Sequence, residues 1–239
     1  MKKERYLIMG RNCILEVLKH DPERIELLYT SKDEENDLVT AVKAQGIEIC
    51  YKRKEGLYLM IESDSHQGYI AKLKPPIHWE LATFLKSVQH LDRSLIIMLD
   101  GITDPQNVGA ILRAGECFGV DGFILGKHNC CPMTPVVSKV SVGASELLPM
   151  IFVGSQVQAL ELCRKEGYQA VTMEINDALP IGGFNFPQKT LLILGAEGLG
   201  VQKKISDLTD YKIYVPMHGA IDSLNVSQAC AVALSYWKR

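Results

Sequence analysis

The fold is indicated most directly by the stretch Leu191-Leu192-Ile193-Leu194-Gly195-Ala196-Glu197-Gly198-Leu199-Gly200, in which an apolar run passes straight into a glycine-rich turn. Residues 95–99 and 122–125 form two more such apolar runs. Strands that are apolar on both faces belong to a buried, mostly parallel sheet. Apolar residues also recur at helical spacing in residues 108–118, 156–165 and 226–237. The sequence therefore predicts an α/β fold with helices on both faces of the sheet.

The composition is that of a globular protein. The chain has 239 residues, of which 47% are hydrophobic and 23% charged, and these fractions exclude a disordered or collagen-like chain. The 26 Lys and Arg residues nearly balance the 28 Asp and Glu residues, and neither residues 1–75 nor residues 76–239 are basic overall. That balance argues against a protein that coats nucleic acid through its overall field. With no 18-residue apolar run and no signal-peptide core, we expect no membrane partner.

Seven cysteines occur in the chain, and no two of them form a Cys-x-x-Cys pair. An odd number without that spacing predicts reduced thiols in a cytoplasmic protein rather than a disulfide framework. Cys130 and Cys131 are adjacent, and no His follows them at ligand spacing, so we expect no metal site.

A domain boundary is predicted at Lys74-Pro75-Pro76, because this tripeptide can continue neither a helix nor a strand. The pattern before it predicts a compact α/β unit, with helices near 13–18, 38–42 and 57–61 and strands near 25–29, 47–51 and 68–73. The predicted organisation is a first domain at 1–74, a linker or first helix at 75–92, and a second domain at 93–239.

Three polar loops follow predicted strands, which is where open α/β sheets bind ligands. In the first loop, Asp104-Pro105 predicts a turn, Asn107 is placed to cap a helix, and Arg113 follows about one and two-thirds turns later. A capped helix with one solvated arginine explains this loop equally well.

The second and third loops carry more specific patterns. The three glycines of 195–200 permit positive φ and close backbone approach, although the order of residues fits neither a P-loop nor a dinucleotide fingerprint. The Glu197 carboxylate would be costly in a buried loop without a partner. The third loop carries Ser223, Asn225 and Ser227 ahead of an alanine-rich helix, and one N-cap explains only one of them.

Taken in order, the three loops resemble the signature motifs of the SpoU branch of the SPOUT methyltransferases. The matching residues are Asn107 with Arg113, then 194–200, then Val215-Pro216-Met217 leading into 223–227. Gly10-Arg11-Asn12 and 66–71 resemble the bacterial 23S rRNA guanosine 2′-O-methyltransferase subgroup. The resemblance therefore extends over nearly the whole chain.

This resemblance implies methylation of a ribose 2′-hydroxyl, with S-adenosyl-L-methionine as cofactor and a guanosine of 23S rRNA as target. It implies a small N-terminal L30e-like domain that binds RNA, and a C-terminal SPOUT domain with a deep trefoil knot. It also implies a homodimer in which two subunits complete one active region.

The resemblance also assigns residues. The positions that match the cofactor site are Gly195, Val215, Met217 and Leu224. Because a guanidinium with a pKa above about 12 is seldom deprotonated, we expect Arg113 to grip an RNA phosphate and stabilise developing alkoxide rather than act as a base. Asn107, Ser223 and Asn225 would then position the ribose, and Glu197 would orient Arg113 or Asn107. The expected phosphate contacts of the first domain are Arg11, Lys52, Arg53 and Lys54.

Two other functions remain open from the sequence. One is methylation of a tRNA or of another rRNA guanosine, and the other is a non-catalytic RNA-binding assembly factor with the same fold. The complete set of motif residues argues against the assembly factor. The stretch 127–135 departs from the family pattern in its cysteine and proline content, and Asp222 has no assigned role.

Overall fold

The computed structural model describes residues 6–196 and 198–238. The strands are β1 (Tyr6–Met9), β2 (Ile25–Thr30), β3 (Glu48–Tyr51), β4 (Tyr69–Leu73), β5 (Ser94–Asp100), β6 (Gly122–Gly126), β7 (Met150–Val153), β8 (Gln169–Met173), β9 (Leu179–Pro180), β10 (Lys189–Gly195) and β11 (Tyr211–Tyr214). The α-helices are α1 (Arg11–His20), α2 (Asp37–Ala44), α3 (Lys54–Ile61), α4 (Leu81–Ser87), α5 (Pro105–Phe118), α6 (Pro135–Val140), α7 (Ala144–Leu147), α8 (Gln156–Lys165), α9 (Lys203–Ser206) and α10 (Val226–Trp237).

The chain folds into two compact units. The first unit comprises Met1–Ile77 together with Met133–Leu147, and the second comprises His78–Pro132 and Leu148–Arg239. This division differs from the predicted one in that α6 and α7, which lie within the sequence of the second domain, pack in the first unit. The separate roles assigned to the domains stay predictions.

The first unit is built on a four-stranded sheet with the order β1-β4-β2-β3. Strand β4 is antiparallel to both β1 and β2, whereas β2 and β3 are parallel. The strands β1, β2 and β3 therefore all end at one edge of the sheet. The helices at 13–18, 38–42 and 57–61 and the strands β2, β3 and β4 lie where the sequence predicts them. The sequence did not predict β1, whose four residues are too few to show a period.

The buried carboxylate of Glu146 holds α7 in the first unit through hydrogen bonds and an ion pair. Arg24 donates from Nη2 to Glu146 Oε2 (3.0 Å) and from Nη1 to the Glu146 carbonyl (2.7 Å). Glu146 Oε1 accepts hydrogen bonds from Tyr6 (3.2 Å), Ser138 (2.8 Å) and Ser145 (3.0 Å). Burial raises the pKa of Tyr6 above its usual range, and the Glu146 charge raises it further. A buried charge with this many partners is destabilising if any one partner is removed.

The second unit is built on a seven-stranded sheet with the order β7-β6-β5-β10-β8-β11-β9, and its described strand pairs are all parallel. Every residue of β5 and β6 is buried, as their apolar sequences predicted. The helices α8 and α10 have the predicted bounds. The sequence did not predict the edge strand β7, whose pattern is weak because three of its four residues are only half-buried.

Adjacent residues of β6 show that helices cover both faces of this sheet, as predicted. Gly122 faces α4, where an added Cβ would lie 2.5 Å from the Phe84 ring. Phe123 faces α5, where a Cβ on Gly115 would lie 2.4 Å from its ring. Successive strand residues point to opposite faces, so α4 and α5 lie on opposite sides. Within the described ranges, no helix is long and apolar enough to span a bilayer.

We expect Gly115→Ala to destabilise the second unit, because the new methyl group overlaps the buried Phe123 ring. Overpacking of this kind costs about 1–3 kcal/mol. Both tryptophans, Trp79 and Trp237, belong to the second unit, so tryptophan fluorescence during urea denaturation follows its unfolding.

Gly154→Ala is the matched control, since nothing lies within 4 Å of an added Cβ at this glycine of the same unit. Its unfolding midpoint should stay at the wild-type value. Equal midpoints for the wild type and Gly115→Ala would contradict the close packing of α5 on β6.

Candidate active site

The three motif loops meet at the carboxyl edge of the second sheet. Strands β5 and β10 are parallel neighbours in which Asp100 is the register partner of Gly195, so the loops that follow them start side by side. The third loop follows β11, which is parallel to β8 on the other side of β10. The parallel topology thus places the candidate site at the predicted edge.

The first loop turns at Gly101, which has a φ of +70°, and leads into α5. The predicted cap Asn107 is wrong, because Asp104 is the N-cap and accepts a hydrogen bond from the Asn107 backbone amide (3.0 Å). Pro105 follows the cap at the start of the helix, a position where proline is favoured. Asn107 therefore lies in the first turn of α5, where its half-buried side chain can make another contact.

The second loop folds back on its own backbone. The Gly200 amide donates to the Ala196 carbonyl (2.8 Å), and Gly198 and Gly200 have φ values of +77° and +67°. Gly195 has a different role, because an added Cβ would lie 2.1 Å from the Gly200 carbonyl carbon. The sequence predicted that the glycines of this loop bring its backbone close to a ligand, whereas the close approach seen at Gly195 is to the loop's own backbone. Glu197, predicted to orient Arg113 or Asn107, lies outside the described residues.

A buried carboxylate ties the end of the second loop to the end of β5. Asp100 is 1% exposed and accepts hydrogen bonds from the backbone amide (2.7 Å) and Nε2 (2.5 Å) of Gln202. Hydrogen bonds to a charged group contribute about 1.5–3 kcal/mol. Sequence reasoning did not single out this pair, which is 102 positions apart.

Asn225 joins the third loop to the first. Its Oδ1 caps α10 by accepting hydrogen bonds from Ser227 N (2.9 Å) and Ser227 Oγ (2.6 Å). Its Nδ2 donates to Asn107 Oδ1 (2.8 Å). One residue thus serves both as the predicted N-cap and as a link between two motifs. Ser223 is exposed and donates to Asp222 Oδ1 (3.2 Å).

A cavity of about 740 Å³ lies between the second and third loops, and we call it the large cavity. Four of the predicted site residues are among those that line it, namely Gly195, Ser223, Leu224 and Asn225. The predicted cofactor residues Val215 and Met217 are half-buried just after β11 and are not among its described lining residues.

The large cavity is also lined by residues at the end of β8, a strand that the sequence did not predict. Met173, Glu174, Ile175 and Asn176 line the large cavity there. Glu174 Oε2 accepts hydrogen bonds from Ser206 Oγ (2.9 Å) and Lys212 Nζ (3.1 Å). Glu174 Oε1 is buried and has no hydrogen-bond partner among the described residues. Throughout residues 6–196 and 198–238, no group of three or more His, Cys, Asp or Glu side chains is arranged to hold a metal ion.

A second cavity, of about 560 Å³, contains Asn107 and is called here the Asn107 cavity. It shares Ala196, Leu199 and Gly200 with the large cavity, so the second loop separates the two. Arg113 is exposed on α5 and lines neither cavity. Arg113 follows Asn107 by six positions, which places the two residues about 9 Å apart along the helix axis.

The first unit has a basic sheet edge of its own. Thr30 and Tyr51 end the parallel strands β2 and β3 beside a cavity of about 540 Å³, whose basic lining residues are Lys32, Lys52, Arg53 and Lys54. Burial is the main cause that lowers the pKa of the nearby His66, and Lys139 and Lys54 lower it further against the opposing effect of Asp64. Three of the four predicted RNA contacts are therefore together.

The fourth predicted contact, Arg11, follows β1 at the same sheet edge and pairs with Asp37 at 3.7 Å. Its backbone amide donates to Gln67 Oε1 (3.2 Å), and the Gly10 amide donates to the Tyr69 carbonyl (3.1 Å). These bonds bring together the two segments of the first domain, 10–12 and 66–71, that carry the family resemblance.

The described structure thus combines an all-parallel α/β unit, which has glycine and asparagine loops at its carboxyl edge, with a small unit that has a basic sheet edge. Residues 94–235 match the SpoU rRNA Methylase family, and residues 7–79 match the family described as RNA 2′-O ribose methyltransferase substrate binding. The chain belongs to the SpoU rRNA methylase family.

Two proteins similar to this chain are named for the same activity. The chain is 30% identical to the 23S rRNA (guanosine-2′-O-)-methyltransferase RlmB of Coxiella burnetii, over 95% of this chain and 92% of that one. It is 31% identical to the Vibrio cholerae protein of the same name, over 95% and 94% of the two chains.

The fold is also that of solved structures. The SpoU methyltransferase AviRb from Streptomyces viridochromogenes, crystallised in complex with the cofactor AdoMet, superposes with a TM-score of 0.81 at 22% identity, covering 98% of this chain and 89% of that one. An RNA 2′-O ribose methyltransferase superposes with a TM-score of 0.78 at 22% identity, over 98% and 87% of the two chains.

We expect Asn225→Ala to lower the free energy of unfolding of the second unit by about 1 kcal/mol, because it removes the N-cap of α10. Tryptophan fluorescence in urea is again the measurement. Ser223→Ala is the control from the same loop and should change stability by less than about 0.5 kcal/mol. Equal losses in the two variants would show that Asn225 has no special part in holding α10.

Proposed function

We propose that this chain is an S-adenosylmethionine (AdoMet)-dependent RNA 2′-O-ribose methyltransferase that acts on a guanosine of 23S rRNA. The observation that carries the proposal is the hydrogen bond between Asn107 and Asn225, which joins the first and third motif loops between two neighbouring cavities. Relatives at 30–31% identity over 95% of the chain are named for this reaction.

The large cavity fits the cofactor. Its volume of about 740 Å³ is within the range of about 300–1,000 Å³ typical of small-molecule sites. Leu199 and Leu224 supply exposed apolar surface, and the Gly195–Gly200 turn supplies backbone groups. Glu174 Oε1, which has no hydrogen-bond partner among residues 6–196 and 198–238, is an acceptor suited to an ammonium or hydroxyl group. AdoMet, when bound, supplies the electrophilic sulfonium methyl group.

The cofactor-binding residues in this proposal are Gly195 and Leu224 in the cavity, with Val215 and Met217 on the loop that leads to it. Val215 and Met217 are half-buried just before the exposed turn 218–224. The family resemblance implies that backbone groups hold the cofactor there.

The ribose is positioned by the polar residues next to this cavity. A ribose hydroxyl is a weak nucleophile, so its oxygen must be held in line with the methyl group. Because Asn107 Oδ1 accepts from Asn225, the Nδ2 group of Asn107 is the atom that can donate to a ribose oxygen. Ser223, exposed at the cavity wall, supplies a second polar contact.

In this proposal Arg113 binds an RNA phosphate and stabilises the negative charge that develops on the ribose 2′ oxygen. Its guanidinium stays protonated, and its planar donors match two phosphate oxygens. Within the described residues, it has no ion pair or hydrogen bond that would compete for this role. Glu197 would orient Arg113 or Asn107, as the family resemblance implies.

A homodimer completes the site in this proposal. Arg113 lines neither the large cavity nor the Asn107 cavity of its own subunit, and a second copy can bring its Arg113 to them. The apolar rim of the large cavity also calls for a cover, because Leu199 is 89% exposed and Ile175 is 71% exposed. Ile221, in the third loop, is another apolar residue and is 76% exposed.

The finer points of the fold belong to the same proposal. A deep trefoil knot is supported by the C-terminal chain, which passes beside the turn 195–200 at residues 223–229 and ends in α10 packed against α5. An L30e-like RNA-binding role for the first unit is supported by its basic sheet edge. A ribosomal RNA substrate implies a cytoplasmic protein.

Transfer of a labelled methyl group from AdoMet to RNA tests the function. Ribosomal RNA that lacks 2′-O-methylation and total tRNA are offered separately, and the modified nucleotide is mapped. Methylation of one 23S guanosine supports the proposal, whereas methylation of tRNA alone favours the tRNA enzyme and overturns the proposed substrate.

We expect Arg113→Lys to lower kcat for RNA at least tenfold, because an ammonium keeps the charge but loses the planar pair of donors. The KM for AdoMet should be unchanged. Glu116→Ala, exposed on the same helix, is the control and should retain wild-type turnover. If Arg113→Lys retained most of its turnover, Arg113 would not be the phosphate grip.

We expect Gly195→Ala to weaken binding of S-adenosylhomocysteine at least tenfold, because its methyl group overlaps the Gly200 backbone and displaces the turn. Titration calorimetry measures the affinity, and tryptophan fluorescence verifies that the second unit remains folded. Wild-type protein that binds no S-adenosylhomocysteine would instead favour the non-catalytic assembly factor.

A further inference from the structure

We propose that a third cavity at the carboxyl edge of the second sheet binds an RNA backbone phosphate next to the methylated nucleotide. The inference rests on the proposed function, since it extends the substrate site. The cavity has a volume of about 230 Å³ and is called here the basic cavity. Its described lining residues come from the segments after β6 and β7, from the start of α8 and from the start of α9, and they include Lys127, His128, Gln156, Gln202 and Lys204.

The charge of this cavity fits an anion. Lys127, His128 and Lys204 contribute basic groups, and no acidic residue is among the described lining residues. Lys127, His128 and Lys204 are all exposed, so each of these side chains is accessible to a phosphate from solvent. Phosphates attract lysines as compact point charges.

The loop that carries Lys127 and His128 is held in place by its own backbone. The Lys127 amide donates to the Val153 carbonyl (2.9 Å), which extends the pairing of β6 with β7 by one residue. Cys130 Sγ donates to the Gly126 carbonyl (2.6 Å), and burial raises the pKa of this thiol, so the donor keeps its proton. A Cβ on Gly126 would lie 2.9 Å from the His128 carbonyl oxygen. The unusual stretch after β6 thus forms a tight turn.

The first turn of α8 also lines the basic cavity. Ser155 caps this ten-residue helix by accepting a hydrogen bond from the Gln158 amide (3.3 Å). Gln156 donates from Nε2 to the Leu99 carbonyl (2.7 Å), which fixes the helix against the end of β5. The positive end of the helix dipole therefore adds to the three basic side chains.

The basic cavity continues the site that the motifs form. It shares Asn129 and Gln202 with the Asn107 cavity, which in turn shares Ala196, Leu199 and Gly200 with the large cavity. The three cavities thus follow one another along the sheet edge. A methyl donor in the large cavity and a ribose at Asn107 leave the basic cavity for the next phosphate along the RNA strand.

The double variant Lys127→Ala/Lys204→Ala tests this site, with Lys203→Ala as its matched control. Lys203 is exposed on the same helix as Lys204 but does not line the cavity. RNA affinity is measured by filter binding between 50 and 200 mM salt, and kcat and KM are measured with saturating AdoMet. The unmodified 23S rRNA segment that wild-type enzyme methylates is the probe.

For the double variant we expect RNA affinity to fall about tenfold at the lower salt concentration, with the KM for AdoMet unchanged. Because one phosphate would no longer be neutralised, the plot of log affinity against log salt should also become shallower, by about 0.7–0.9. Lys203→Ala should keep the wild-type slope. A wild-type slope and affinity in the double variant, with the methyltransferase active, would overturn the phosphate site alone. Wild-type enzyme that methylates no RNA would overturn the proposed function first.

Discussion

The shape of the second motif loop depends on the absence of a side chain at Gly195. At this position the backbone of β10 meets the backbone of Gly200, at a distance that leaves no room for a Cβ atom. The chain can therefore reverse within five residues and return to the sheet edge. The reversal presents the Gln202 amide and side chain to the buried Asp100, which needs both donors to offset its desolvation. It also makes the turn a common wall of the large cavity and the Asn107 cavity.

Sheet topology explains how a chain with a formal net charge of −2 can present basic surfaces. In both units, strands that run in the same direction end at one edge, and the residues that follow them are collected there whatever their separation in sequence. Lys32 and Lys52 are gathered in this way in the first unit, and Lys127 and Lys204 in the second. Local potential depends on such clusters rather than on the total charge.

Strongly buried elements could be predicted from the sequence, and marginal ones could not. Strands β5, β6 and β10 are apolar on both faces, and α8 and α10 carry a clear helical period, so their patterns had one interpretation. Strand β1 has only four residues, and β7 lies at a half-buried edge. Asn107 was mistaken for a cap because Asp104 and Asn107 are both good cap residues, and only Pro105 after Asp104 distinguishes them.

The candidate site itself was only partly visible in the sequence. Residues within the motif loops, such as Gly195 and Asn225, could be named because the spacing of the motifs is specific. Glu174, Gln202 and Lys204 could not, because each reaches the site through pairing or packing with segments far away in sequence. Arg113 lies exposed on the predicted helix, and its role stays a prediction.

The return of Met133–Leu147 to the first unit affects how the chain can be made and divided. The chain passes between the units three times, after Ile77, Pro132 and Leu147. During synthesis the ribosome must produce more than half of the protein before Glu146 reaches Arg24 and Tyr6. A fragment that ends at Ile77 would contain the whole four-stranded sheet and yet leave an arginine without its buried carboxylate. The apparent linker is therefore not a place where the two units can be cut apart without loss.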